Sequence, residues 1–145
     1  MINMEYKRSG DKIAARLDKG DDIIEEILKI AEIEKIPFGY VNGIGATDSF
    51  TVGVFDLEKS DYEKFSYTGN HEITALSGTI STKDGLPYVH LHISCGNRNG
   101  DLIGGHLLKA RISLTCEIMI VIADIVADRK FDKEVGINKI SFSQE

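Results

Sequence analysis

Three of the four histidines of the chain, His90, His92 and His106, lie close together in the sequence. The spacing His-x-His places the first two imidazoles on one face of a β-strand, because strand side chains alternate with a period of two. The segment R-N-G at 98–100 is typical of a three-residue hairpin loop with glycine at the position that needs a positive φ. The pattern therefore predicts two antiparallel strands that both carry histidines.

The same loop predicts how the two strands align. A three-residue loop pairs its flanking residues, Asn97 with Asp101, and counting back along the ladder places His92 opposite His106. Directly opposed residues share a face, with Cβ atoms about 5 Å apart. Three imidazoles on one surface with an open fourth position form a familiar zinc arrangement. We therefore expect a metal site at His90, His92 and His106 with zinc as the ion; the alternative is three hydrogen-bonded histidines of the core.

Glu72, next to His71, is the candidate catalytic residue. A carboxylate near a metal can act as a general base or hold a metal ligand by a hydrogen bond. The alternative is a solvent-exposed carboxylate on a strand. The two cysteines, Cys95 and Cys116, lack the C-x-x-C spacing of metal and redox motifs and are expected to be small buried residues in a reducing cytoplasm. Cys95 has odd parity relative to the histidines and should point away from them.

The pattern of apolar residues predicts one helix ahead of many strands. A chain of 145 residues is expected to form a single domain over 1–145 with a sizeable core. The helix is predicted over 21–35, with Asp21 as its N-cap and Pro37 behind its end. Strands are predicted over 6–17 (one or two strands), 38–44, 48–55, 62–67, 71–81, 86–95, 102–109, 110–122 and 137–142, and 128–136 is expected to be irregular or a short helix. This order argues for an α+β fold, an antiparallel sheet with one main N-terminal helix packed on it.

The charge and hydropathy of the chain argue against some partners. The net charge is -6, so the chain as a whole gains nothing from the phosphate attraction that drives most DNA binding. No apolar run reaches the length of a bilayer, so no membrane partner is expected. The N-terminal residues lack the apolar core of a secretory signal. These features favour a cytoplasmic location.

Five segments resemble the plants-and-prokaryotes conserved (PPC) domain. They are R-L-D-K-G-D-D-I at 16–23, V-N-G-I-G-A at 41–46, H-E-I-T-A-L-S-G-T-I-S at 71–81, V-H-L-H-I-S at 89–94 and G-D-L-I-G-G-H-L at 100–107. The resemblance implies an antiparallel sheet with packed helices, assembled as a homotrimer. It also implies a metal, in some prokaryotic members, at the histidines that match His90, His92 and His106. Bacterial and archaeal members often carry a DNA-binding label, and this chain lacks the basic AT-hook arm of plant members.

Three functions are compatible with this sequence. The first is a metal-binding homotrimer with a DNA-binding or regulatory role, as the family label implies. The second is a zinc-dependent enzyme that acts on a small molecule at the three-histidine site, because three histidines and a water are a catalytic arrangement. The third is an assembly module with a structural zinc. We take the first as the leading hypothesis and expect DNA binding to be weak on charge grounds.

Overall fold

Eight strands and one helix make up residues 4–142, the part of the chain that this computed structural model describes. In chain order they are β1 (Glu5–Ser9), β2 (Lys12–Asp18), α1 (Ile23–Ile33), β3 (Phe38–Asp56), β4 (Asp61–Lys83), β5 (Leu86–Gly96), β6 (Leu102–Ala123), β7 (Asp128–Asp132) and β8 (Ile137–Ser141). The α+β class is confirmed. Within the same residues, no helix is long and apolar enough to cross a membrane.

The strands form one sheet in which four long strands close into a ring. β3 pairs with β4 and β6, and β5 pairs with the same two strands. The outer strands β1 and β2 continue the sheet from β6, while β7 and β8 continue it from β4. Among the strands of residues 4–142, β4 and β7 alone pair in parallel, at Thr82 and Asp128. Within the ring, β5 pairs with β4 along its whole length and with β6 from His92 to Gly96. This double pairing fixes the strand on which the site is built.

The helix packs on the face of β5 that lies opposite the histidines. Its apolar stripe, including Ile23 and Ile27, is fully buried in one cluster with Leu91 and Cys95 of β5. Because strand side chains alternate, the residues between these core positions point to the other face. The prediction that Cys95 faces away from the histidines is therefore confirmed.

The helix is shorter than predicted, and its N-cap is displaced by one residue. Asp22, not Asp21, caps it by accepting a hydrogen bond from the backbone N–H of Glu25 at 3.1 Å. The carboxylate of Asp21 instead accepts the backbone N–H of Asp18 at 2.8 Å. The helix ends at Ile33, because Lys35 adopts a φ of 52°, which no helix continues.

Three pairs of predicted strands are each one continuous strand, so the expected breaks were wrong. Each strand continues through the residues in question, 45–46, 69–70 and 109–110. In β3 the register shifts between Gly43 and Gly45 and again between Thr47 and Ser49. Such bulges absorb an extra residue and bend the strand while the pairing goes on. Glycine here marks curvature and close approach instead of a chain reversal.

The charged tail is a hairpin, in contrast to the irregular segment or short helix expected over 128–136. β7 and β8 pair over five positions, from Asp128 with Ser141 to Asp132 with Ile137. A turn with Gly136 at φ 74° joins them. The hairpin extends from the edge of β4 and covers one side of the histidine face, as described next.

Candidate metal centre

The hairpin between β5 and β6 places the histidines as predicted. The backbone N–H of Asn97 donates to the carbonyl of Asp101 at 3.0 Å, and Gly100 has a φ of 83°. The side-chain oxygen of Asn97 accepts the backbone N–H groups of Asn99 and Asp101, which holds the loop in shape. His92 and His106 are consequently direct partners in the ladder. The local chemistry of the loop thus sets the alignment of the site.

The three imidazoles form a compact cluster. One ring nitrogen from each of His90, His92 and His106 lies within 4.8 Å of the others. Ring centroids are 5.2 Å apart for His90 with either partner and 5.7 Å for His92 with His106. Nitrogens 2.0–2.1 Å from one zinc would lie about 3.4 Å apart, so ring movements of about an ångström would complete such a set. The residues fit a metal ion.

Burial favours the neutral, metal-binding form of two of the three histidines, His106 and His90. His106 is half-buried, and its pKa falls to about 4 because of desolvation, with His90 and His92 adding repulsion. The pKa of His90 is also lowered, by burial first and then by Arg129 and His92. A metal binds the neutral imidazole. The Nδ1 atom of His106 is buried with no hydrogen-bond partner among the described residues, which is a cost that a bound ion can remove.

The lowered pKa of His106 predicts how the metal-free protein responds to acid. Between pH 6.5 and pH 4 the unfolded chain binds a proton at this residue and the folded chain does not. Stability is therefore full above pH 6.5 and is lost as the pH falls towards 4. We expect a loss of the order of 1 kcal/mol after solvent screening, measured by urea unfolding at several pH values. A His106→Gln variant with an unchanged pH slope would contradict this.

A cavity of about 510 Å³ opens beside two of the histidines. His90 and His106 line it, and Tyr62 stacks on the His106 ring at a centroid distance of 4.5 Å. His92 is exposed and lies outside the lining. The cavity is large enough for a small molecule to reach the metal ligands.

Arg129 of β7 is the second functional candidate in this cavity. It is 6% exposed, and its guanidinium lies 4.7 Å above the ring centroid of Tyr88. Its Nε donates to Ser81 at 2.8 Å. The place of Arg129 and Tyr62 in this cavity could not be predicted from the sequence, because no local motif marks it and only long-range pairing brings them to the histidines.

Glu72 lies away from the histidine cluster within the chain. It pairs with Gly96, which is four residues beyond His92 and thus about 13 Å along β5. Its side chain is exposed and lines a different pocket, together with His71. The structure does not bring Glu72 to the three histidines of its own chain, and its catalytic role stays a proposal.

The fold and the site together define a class: a curved, closed sheet that carries a three-histidine cluster beside a cavity. The model of the Plants and Prokaryotes Conserved (PCC) domain matches residues 4–124. The chain belongs to this family, the PPC family to which its motifs point. Comparison with functionally curated proteins finds no match.

Solved structures of similar proteins share nearly the whole fold. A metal-containing protein of Archaeoglobus fulgidus is 32% identical with a TM-score of 0.85, and the match covers 97% of this chain and 99% of that chain. A plant- and prokaryote-conserved protein of Pyrococcus horikoshii is 29% identical with a TM-score of 0.85, covering 98% and 96%. A Bacteroides thetaiotaomicron protein, described as a "putative DNA binding protein", is 27% identical with a TM-score of 0.92, covering 96% and 97%.

Proposed function

We propose that this protein binds one zinc ion per chain through His90, His92 and His106. The observation that carries the proposal is the cluster itself, three imidazole nitrogens within 4.8 Å of one another on one sheet face. The metal in the Archaeoglobus relative supports it. Elemental analysis of protein purified without chelator tests it, with one zinc per chain as the expected result. Protein that stays metal-free after zinc addition and dialysis would contradict it.

We place the protein in the cytoplasm as a homotrimer. Both cysteines, Cys95 and Cys116, are free and buried, which suits a reducing compartment. An apolar groove of about 800 Å³ runs over β1, β2, β3 and β6. Tyr40, Ile44 and Met119 in this groove are 45–55% exposed, and exposed apolar patches of this kind are typical of subunit contacts. The groove rim carries both acidic and basic side chains, so a second copy can complement it.

Light scattering tests the assembly. We expect a particle of three times the 16.0 kDa chain mass at micromolar concentration. An Ile44→Lys variant should shift the protein towards the monomer, because it places charges in three buried contacts at once. A control substitution at exposed Leu57, which is 78% exposed and outside the groove, should leave the mass unchanged. A monomeric wild type would contradict the proposal.

A regulatory, DNA-binding role is the second part of the proposed function. The Bacteroides relative carries that description, and this chain shares its fold over 96% of its length. The net charge of -6 argues that any binding to arbitrary duplex is weak. We expect duplex titrations at two salt concentrations to give weak binding with a shallow salt slope. Nanomolar binding with a steep slope would overturn this expectation and assign the contact to a basic surface built from Lys7, Arg8, Arg129 and Lys130 across subunits. Of these four, Arg129 is buried within its own chain.

An enzyme that acts on a small molecule is the alternative function, and the cavity beside His90 and His106 favours it. Zinc held by three histidines would supply a Lewis acid and an activated water at that wall. Tyr62 restricts the orientation of the His106 ring by stacking on it. The cavity gives a ligand access to the sheet face that carries His90 and His106. A structural zinc ion with four protein ligands would not need such access.

A further inference from the structure

A buried arginine without a recorded carboxylate partner lies in the cavity of the metal centre. Arg129 is 6% exposed, and no ion pair joins it to an acidic side chain among residues 4–142. Burial lowers its pKa, and the only opposing influence is Tyr88. A buried charge is costly unless it is paired. The chain therefore maintains a desolvated cation at this place.

The hydrogen bonds of Arg129 leave part of its guanidinium available. A guanidinium has five N–H donors. The acceptors recorded among the described residues are all neutral: Ser81 Oγ at 2.8 Å, the Asn138 carbonyl at 2.9 Å and Thr79 Oγ1 at 3.4 Å. The bonds to Ser81 and Thr79 join the tail hairpin to β4, and the bond to Asn138 lies within the hairpin, between β7 and β8. Together they hold the plane of the group. The guanidinium is thus fixed in orientation and still able to donate.

The position of the guanidinium ties it to the histidines. Thr79, which it contacts, is the direct ladder partner of His90, and Ser81 is the partner of Tyr88. Directly opposed residues share a face with Cβ atoms about 5 Å apart. Arg129 also lowers the pKa of His90 by its charge. Both groups line one cavity, so one small ligand can contact both.

The other charges at the cavity wall do not neutralise Arg129. Lys139 donates to Asp132 at 2.7 Å and is paired there. Asp61 is exposed, and its carboxylate accepts the backbone N–H of Tyr62 at 2.7 Å. The remaining lining is uncharged side chains such as Ser60 and Thr79, the two histidines and an aromatic or apolar part made of Phe55, Tyr62, Tyr88, Phe131, Ile137 and Ile140. The wall therefore combines one oriented, unneutralised cation with an apolar surface.

We infer that this cavity binds a small organic carboxylate, whose two oxygens accept hydrogen bonds from Arg129 while its body packs on the aromatic wall. The planar fork of arginine matches a carboxylate in two parallel bonds. A single cation among apolar side chains suits a monoanion better than a strongly hydrated phosphate dianion. This inference gives a ligand class to the cavity of the proposed metal centre. It rests on that proposal in one respect: a bound metal ion would attract the carboxylate in addition to Arg129.

Calorimetric titration with propionate and benzoate tests the inference, on zinc-loaded protein and on chelator-treated protein. We expect saturable binding with one site per chain, tighter with zinc, and weaker binding of inorganic phosphate. Arg129→Gln should raise the dissociation constant about tenfold or more, because it removes a charge-assisted bidentate pair. Arg111→Gln is the matched control, since that arginine is exposed, pairs with Asp48 and lies outside the cavity.

Two further measurements separate the possible failures. If Arg129→Gln does not fold, Arg129→Lys serves instead, because it keeps the charge without the planar fork and should still weaken propionate binding. In the wild-type protein, the ¹⁵N signal of the Arg129 Nε–H should shift on titration with propionate. Binding of zinc without any carboxylate binding would overturn the inference and leave the metal centre intact. Arg129-dependent carboxylate binding by a protein that takes up no added zinc would support the inference and overturn the proposed metal centre. Tighter binding of phosphate than of propionate would overturn the ligand class.

Discussion

The His92→Ala variant is expected to lose stoichiometric zinc while keeping its fold. His92 supplies one of three proposed ligands, and two imidazoles hold zinc far more weakly than three. The side chain is exposed, and the core face of β5 lies on the other side of the strand, so little packing is lost. Elemental analysis after dialysis should fall from one zinc per chain to a small fraction. Circular dichroism and unfolding of the metal-free variant should match the metal-free wild type.

The fourth histidine provides the matched control for this experiment. His71 is buried, its Nδ1 lies 2.7 Å from the carbonyl of Gly69, and its ring packs edge-on against Phe50 at a centroid distance of 5.0 Å. A His71→Gln variant should be less stable and still bind zinc. The two variants thus separate the loss of a ligand from the loss of a core side chain. Full zinc content in His92→Ala would show that the ion binds elsewhere.

The histidine cluster could be predicted from sequence because its geometry is local. The alternation of a strand aligns His90 with His92, and a three-residue loop with Gly100 aligns His92 with His106. Both rules act within 17 residues, from 90 to 106. The same locality explains the success for Cys95, whose parity alone assigns it to the other face.

The rest of the site depends on contacts that no local rule defines. Arg129 reaches the cavity because the tail hairpin pairs with β4. The contact is long-range: Thr82 of β4 and Asp128 of β7, which share a hydrogen bond, are 46 residues apart in the sequence. A charged segment with few apolar residues gives no sign of such a strand. Tyr62 reaches His106 because β3 lies between their two strands. Phe55 of β3 pairs with Tyr62 on one side, and Gly53 of β3 pairs with His106 on the other. The continuous strands were missed for a related reason, since a glycine that allows a bulge and a glycine that ends a strand look alike in sequence.

The Gly78→Ala variant is expected to lose both stability and zinc affinity. Gly78 of β4 faces Leu91 of β5, and a Cβ built on it would lie 1.9 Å from the carbonyl oxygen of His90 and 2.8 Å from the Leu91 Cα. Those atoms are backbone, so the two strands must separate for the methyl group to fit. Overpacking typically costs about 1–3 kcal/mol, and a rigid backbone clash belongs at the upper end of that range or above it. The displaced strand carries His90, so the ligand set is disturbed as well.

Gly96→Ala is the matched control, because the same substitution on β5 meets only side chains at ordinary van der Waals distance. Its Cβ would lie 3.6 Å from Leu102 Cδ2 and 3.7 Å from Thr74 Cγ2, which is ordinary contact. Neither glycine has a positive φ, so backbone strain does not separate the two variants. At about 3 °C per kcal/mol for a domain of this size, Gly78→Ala should melt about 10 °C below wild type and Gly96→Ala within a few degrees of it. Equal melting temperatures for the two variants would show that β4 and β5 can move apart without cost. Zinc retained at full affinity by a folded Gly78→Ala protein would show that the position of His90 does not depend on this close approach.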